Sequence, residues 1–539
     1  SSLLKDQPTP LTEVRSDLPR HLGRFIGRCL EKNPRDRYQT ARDVYHELRA
    51  LRRESSSPTG TPSLPRPVNH RPSTTLSELS PQVGRTPGSP STTTAVQRDE
   101  GFWVAVLPFA WRAADPAVEA LAEGLTEDIV TGLSRFSYLR VISRSSTSRF
   151  ADSSVDVRTV GGELGARYVM EGSVRQAGPA LRVAIQLVDA ESGTNLCAET
   201  YNRRFIPDDV FELQDDLAPR IVSTVADMNG VLPHSMSEAL RGRDPEQLSP
   251  YEALLRSFGY YQRLTVQDHA EARAALEKAV QQAPDHSDCW ALLSMLYAEE
   301  HKHGFNVKPD SLGRALGAAR RAVAAAPSNN LAYHMLAQAL FFRRELQAFR
   351  NAAQKAVDLN PMDGCTTAFM GILMAYVGDW EHGCELAERA MQLNPHHPGW
   401  YRFASFSNAY RKGDHRGALD VALKFNMPSY FYTHMALAAA HGQLGDHEAA
   451  GRAVDELLSY KPNFASEVRR ELGKWYGEGE LLESVLDGLR KAGLDVEQAV
   501  ADPVAPPPSG DATVGEPTGP IRIAVLPVTD MSAARDQEY

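Results

Sequence analysis

From residue 250 to about 475, large apolar side chains return every three or four positions in blocks that end at prolines. These prolines fall at 284, 327, 361, 395, 428 and 462, with successive gaps of 43, 34, 34, 33 and 34 residues. Trp290, Leu293 and Tyr297, then Tyr333 and Leu336, mark one helical face in successive blocks. A fixed period of this length with a turn inside each block predicts two antiparallel helices per unit. Ahead of the repeats the pattern changes. An apolar run at 103–109 predicts a strand, and Leu121, Leu125, Ile129 and Leu133 an amphipathic helix over about 117–136. A strand at 139–143, a helix at 156–164 ended by Gly165, and strands at 168–174, 181–189 and 195–204 follow. A last helix, about 208–228, buries Val210, Leu213, Leu217 and Ile221. Strands that alternate with helices and then run into hairpins predict one mixed sheet covered by helices.

The helical units resemble tetratricopeptide repeats. Ala279, Ala322, Ala356 and Ala390 stand five residues before their prolines, where a small side chain lets paired helices approach. The next two units carry Leu423 and Leu457 there, which predicts altered packing at the end of the array. Gly378-Asp379, Gly413-Asp414 and Gly445-Asp446 mark the turn inside a unit. The first gap is long, and the segment around His301–Pro309 is read as an insertion between paired helices. Stacked repeats form a solenoid whose concave face receives segments of partner proteins. In this register that face carries His334, Gln338, Phe341, Tyr401 and Asn408 as candidate partner-binding residues. Residues 464–495 read as a terminal cap.

Two further segments resemble known families. Leu30-Glu-Lys-Asn-Pro-Arg-Asp-Arg37-Tyr-Gln-Thr-Ala41 resembles the end of the C-terminal lobe of bacterial Ser/Thr protein kinases. The resemblance implies that Arg37 is the structural arginine that pairs with the Glu closing the activation segment. Ala105-Val-Leu-Pro-Phe109, Gly124-Leu-Thr-Glu-Asp-Ile129, Glu163-Leu-Gly165, Tyr168, Glu171-Gly-Ser-Val174 and Gln186-Leu-Val-Asp189 resemble the TolB amino-terminal-like domain. That likeness implies an accessory domain without an established catalytic role, with Cys197 where the family often has Trp. Ile523-Ala-Val-Leu-Pro-Val528 restarts the motif of Val104–Phe109, 419 residues on.

The expected architecture is therefore multidomain: an α/β mixed-sheet module followed by an all-α tetratricopeptide-repeat solenoid, preceded by a helical kinase C-lobe remnant. The boundaries read as kinase tail 1–53, a Ser/Thr/Pro linker 54–100, the α/β module 101–232 and a connector 233–249. Repeats with their cap occupy 250–495, a second linker 496–520, and the start of a second TolB-like module 521–539.

Composition narrows the functions. The 539 residues hold 58 Lys and Arg against 68 Asp and Glu, a net charge of −10, which argues against a nucleic-acid surface. No apolar run reaches a membrane span, and a cytoplasmic location is expected. Five cysteines without CxxC spacing predict buried thiols rather than a metal framework. Gly161-Gly162-x-x-Gly165 follows a helix instead of preceding one, so it predicts a helix cap and no phosphate cradle. His301-x-His303 and His396-His397 read as solvated loop histidines. No Gly-rich loop, strand lysine, catalytic-loop Asp or DFG ligand occurs. The expectation is a regulatory and scaffolding portion of a bacterial Ser/Thr kinase, inactive alone, without catalytic residues, metal or cofactor. ATP and Mg belong to the missing kinase domain, and protein segments are the expected partners. A small-molecule-sensing α/β module and a non-kinase adaptor stay open as alternatives.

Overall fold

The computed structural model describes residues 102–112, 115–151 and 156–496. The kinase-like tail with Arg37, the first linker and the repeated motif at 523–528 lie outside the described residues. The fold of the described residues is mainly helical with one small sheet.

The sheet is built from β1 (Trp103–Val106), β2 (Ala110–Arg112), β3 (Arg140–Val141), β4 (Tyr168–Ala177), β5 (Ala180–Asp189) and β6 (Thr194–Arg204). Its order is β3-β1-β4-β5-β6, with β2 also pairing β4. The β1, β2 and β3 pairings are parallel, whereas β4-β5-β6 is an antiparallel meander. The strand expected at 103–109 thus ends at Val106, and a separate short strand follows at Ala110–Arg112. Pro108 has no N–H to give a ladder, and the Phe109 N–H instead donates to Thr126 Oγ1 at 3.1 Å. The Phe109 ring lies over Gly172, where a Cβ would meet it at 2.3 Å.

Helix α1 (Pro116–Leu133) starts where Asp115 accepts the Ala117 N–H and proline takes the first turn. Its buried stripe, Leu121, Leu125, Ile129 and Leu133, covers the sheet. A single turn, α2 (Arg144–Thr147), follows β3; then α3 (Val157–Leu164) ends at Gly165 with φ +65°, the helix cap expected from the glycine pattern. Helix α4 (Val210–Ala226) packs beside α1, and α5 (Val231–Ala239) fills the expected connector.

Seven antiparallel helix pairs follow among the described residues. They are α6 (Pro250–Arg263) with α7 (Val266–Gln282), α8 (Ser287–His303) with α9 (Ser311–Ala325), and α10 (Asn330–Phe342) with α11 (Leu346–Leu359). Next come α12 (Gly364–Tyr376) with α13 (Trp380–Leu393), α14 (Phe403–Arg411) with α15 (His415–Ala422), and α16 (Phe431–Leu444) with α17 (His447–Tyr460). The expected cap is the last pair, α18 (Phe464–Tyr476) with α19 (Glu480–Lys491). Leu482, Val485, Leu486 and Leu489 of α19 are fully buried against the preceding pair. Each spacing proline lies between pairs. Ala279, Ala322, Ala356 and Ala390 are all buried, as the close-approach argument requires. Ala356→Trp is expected to cost about 1–3 kcal/mol by overpacking; an unchanged thermal melt would mean that helix contact tolerates a ring. Helices α12 and α13 approach very closely: a Cβ on Gly371 would lie 2.6 Å from the Gly383 carbonyl oxygen.

Two details of the array differ from the expectation. Helix α15 stops at Ala422, which takes the buried place, and Leu423 is left 64% exposed just beyond it. The nine extra residues do not all form a loop. Helix α8 has 17 residues where α10 has 13, so about half of the insertion is an added helical turn. The remaining loop is pinned by buried Glu300, which accepts from Arg273 Nη1 at 2.9 Å, Arg314 Nη2 at 2.5 Å and the Lys308 N–H at 2.8 Å.

The α/β module and the repeats share one hydrophobic core that runs from Phe102 through Leu232 and Met236 to Cys365. Residues 233–249 therefore do not act as a tether in the structure. No described helix is long and apolar enough to cross a membrane.

Candidate functional site

The first helix of a pair can carry buried residues on nearly every side. Twelve of the thirteen residues of α12 are buried, and α12 contains no charge. A helix that is apolar all round needs partners on both faces. It finds them because the repeats coil until late pairs touch early ones. Trp475 of α18 packs edge-on to Phe342 of α10 at 5.1 Å. Lys474 Nζ donates to the Lys302 carbonyl at 3.4 Å, and Arg344 Nη2 to the Lys474 carbonyl at 3.0 Å. The coil encloses a chamber of about 470 Å³. Trp400, Phe403, Tyr430, Tyr432, Trp475 and Tyr476 form much of its wall.

One group of charges faces this space. Glu299, Lys302 and His303 sit at i, i+3 and i+4 on the last turn of α8. Lys302 Nζ donates to Glu299 Oε1 at 2.7 Å, and His303 Nε2 lies 3.0 Å from Oε2. Glu299 is 1% exposed and Lys302 7%, so both charges are out of water. The ammonium also lies 5.3 Å from the Phe369 ring centre and 5.5 Å from that of Trp475, a cation–π arrangement. Burial alone would raise the Glu299 carboxyl, but the charges of Lys302 and His303 prevail and hold it at about 2.

The structure places the sequence-predicted residues differently from an open concave face. His334, Gln338, Phe341 and Tyr401 are all buried. His334 bonds Thr366 Oγ1 through Nδ1 at 2.9 Å and stacks on Phe369; burial, then Lys302, lowers its imidazole to about 3. Phe341 packs edge-on to Phe342 and Phe349. Gln338 Nε2 has no hydrogen-bond partner among the described residues. Asn408 is half-buried, and its Oδ1 accepts from Arg411 Nε at 3.0 Å. His334 thus faces the next pair, Phe341 faces its own, and Tyr401, in a short turn ahead of α14, faces Asp227 of the α/β module. One histidine pair differs as well: His301 and His303 lie on α8 rather than in a loop, and burial lowers His301 to about 4, whereas His396 and His397 lie in a loop with His396 exposed. Among the described residues no group of His, Cys, Asp or Glu could hold a metal ion. Cys289 and Cys365 are buried, while Cys197 and Cys384 are half-buried, and all four are free thiols.

A second polar cluster lies where the α/β module meets the repeats. Asp227, at the end of α4, accepts from Ser223 Oγ at 3.1 Å, the Asn229 N–H at 2.9 Å and Tyr401 Oη at 3.5 Å. Ser223 Oγ in turn accepts the Gly364 N–H of α12 at 3.2 Å. Asp363, the α12 cap, accepts from Asn330 Nδ2 at 2.8 Å and Thr366 Oγ1 at 2.7 Å. Burial and then the negative charge of Asp363 raise Asp227 to about 7, and burial raises Asp363 as well. Tyr138 Oη to the Ala226 carbonyl at 2.7 Å and Ser137 Oγ to Asp288 at 2.6 Å complete the seam.

Comparison with known proteins finds one family model and several similar chains. Residues 100–220 match a family described as "HilA/YgeH-like transcriptional regulator, second domain". This is a different name from the TolB-like resemblance of the same stretch. A protein of Rhizobium meliloti (strain 1021) named "Putative adenylate cyclase 3" is 34% identical over 250 residues, 46% of this chain. The match spans 42% of that relative's length. A monomeric mutant of IFIT1 solved with Gppp-AAAA is 15% identical over 50% of this chain and 65% of its own, with a TM-score of 0.36. A tetratricopeptide repeat protein from Parabacteroides merdae is 14% identical over 47% of this chain and 94% of its own, with a TM-score of 0.30. The repeat architecture rests on this chain's own helix pairs.

The sequence pattern did not single out Glu299 and Lys302. Their signal is present as acid and base at i and i+3, but assigning the segment to a loop removes the helical geometry that pairs them.

Proposed function

We propose that this chain is the regulatory and docking portion of a larger signalling protein, with chemistry supplied by a neighbouring domain. The observation that carries the reading is the continuous stack of seven described helix pairs joined to the α/β module through one core. Such a body is suited to holding partners. The names of the similar proteins support an accessory role. One relative is named a cyclase and the matching family a transcriptional regulator, so a similar segment accompanies different outputs. For this chain the resemblance of residues 30–41 makes the attached enzyme a bacterial Ser/Thr protein kinase that uses ATP and Mg²⁺. The repeats then recruit its substrate or regulator through their outer helices and edges, since the inner faces are occupied.

The test is cross-linking mass spectrometry on the full chain in cell extract. Partner cross-links are expected to concentrate on residues 250–491, on second helices such as α11 and α13. Reproducible partners cross-linked only outside that range would refute docking by the repeats.

A further inference from the structure

The chamber inside the coil has the character of a ligand site rather than of a packing defect. Its volume of about 470 Å³ falls within the range typical of small-molecule pockets, about 300–1,000 Å³, which are lined by aromatic and apolar groups with a few placed polar ones. A packed core has few voids larger than a water molecule. This space, half open to solvent and kept apart by large rings on opposite walls, has room for a small-molecule occupant.

We propose that the chamber binds a small aromatic carboxylate, with its rings among Trp400, Phe403, Tyr430 and Trp475 and its carboxylate on Lys302. The walls select flat rings, because aromatic pairs gain from edge and offset contacts beyond area alone. The polar end is selected by the Glu299–Lys302–His303 group. An aromatic cage with a carboxylate beside it would ordinarily take a cation. Here the cation is built in: Lys302 already lies over Phe369 and Trp475 and already neutralises Glu299. A second cation would meet a positive charge and find no uncompensated negative one. Lys302 has three N–H donors, of which one is given to Glu299 Oε1. Of the other polar side chains at the wall, His234 is engaged with Gln262 and His396 with Glu199, whereas Asn229 Nδ2 has no hydrogen-bond partner among the described residues. The unspent donors named here are thus on Lys302 and Asn229; of the two only Lys302 is charged, so a carboxylate forms its short charge-assisted bond there. The nine-residue insertion has a purpose on this view. Without the added turn of α8, neither Lys302 nor His303 would reach the chamber.

Ligand binding here needs neither the kinase nor the docking role: binding with no captured partner leaves the chamber site standing, and the reverse removes it alone. Three probes of one shape separate the chemistries, biphenyl-4-acetate, biphenyl-4-ethanol and biphenyl-4-ethylamine, titrated calorimetrically into the full chain. The acid is expected to bind at least about tenfold more tightly than the alcohol, and the amine most weakly, as a charge-assisted bond to Lys302 requires. Ala436→Phe places a ring in the chamber and is expected to abolish binding of acid and alcohol alike. Glu299→Gln combined with Lys302→Met removes both charges at nearly constant volume, and is expected to erase the preference for acid over alcohol. Equal affinity of the wild-type chain for acid and alcohol, preference for the amine, or no binding of any probe would overturn the proposal. Acid binding that survives Ala436→Phe in a folded chain would overturn it too, by placing the ligand elsewhere. Should either variant fail to fold, the ratio of acid to alcohol on the unaltered chain still decides.

Discussion

Lys302→Met is expected to destabilise the chain by about 3–5 kcal/mol, the usual cost of removing one member of a buried ion pair. The methionine keeps the length and much of the apolar stem, so packing against Phe369 and Trp475 survives. What is lost is the counter-charge to Glu299, which is 1% exposed and accepts from Lys302 at 2.7 Å. His303 stays beside Oε2, at 3.0 Å, and compensates only in part. Adding Glu299→Gln should recover most of the loss, because a neutral amide removes the stranded charge. Urea unfolding of the single and double variants measures both effects. A single variant as stable as the parent would show that water reaches Glu299 and that the pair is not truly buried. The same pair sets an acid limit. Lys302 and His303 hold the Glu299 carboxyl at about 2 against an ordinary value of 4.5. Its contribution is present above the ordinary value and is lost as pH falls toward 2.

Asp227 works with the opposite sign. Burial and the charge of Asp363 raise its carboxyl from 3.8 to about 7, so the folded chain holds a proton that the unfolded chain releases. Stability from this group is complete below about pH 4 and is lost as pH rises through 7. A tenfold difference in proton affinity between folded and unfolded chain is worth about 1.4 kcal/mol, so the swing amounts to a few kcal/mol. Asp227→Asn is expected to flatten the fall of Tm between pH 4 and 7 and to raise Tm at pH 8, where the parent carries two buried like charges. Melts of parent and variant across that range provide the comparison, and superimposable curves would show that Asp227 is ionised throughout. The seam between the α/β module and the repeats depends on this group, through Ser223 and the Gly364 N–H. Neutral to alkaline conditions should therefore loosen that seam before the coil itself.

Much of the secondary structure was legible in the residues. The four-residue stripe from Leu121 to Leu133 and the glycine that ends the helix at Gly165 are local signals, and each marks an element where the chain forms one. The repeat period was equally plain, since each pair must place a small residue at its crossing and a turn residue between helices. Gly165, Gly378 and Gly445 carry positive φ where these turns occur. Errors arose where local rules left a choice. The first strand stops at Val106, ahead of Pro108, and α8 runs one turn into the segment whose sequence reads as loop.

Periodicity alone thus determined the existence, order and pairing of the helices, because each follows from contacts within about one repeat. How far the coil turns was decided elsewhere, by the sum of small rotations between pairs, which no single repeat encodes. That sum brings α18 against α8 and α10, narrowing an expected open groove into a half-open chamber. His334, Phe341 and Tyr401 are buried by neighbouring elements instead, His334 against Thr366 and Phe369, Phe341 against Phe349, and Tyr401 against Asp227, while Glu299 and Lys302 acquire a site that neither possesses in the linear chain.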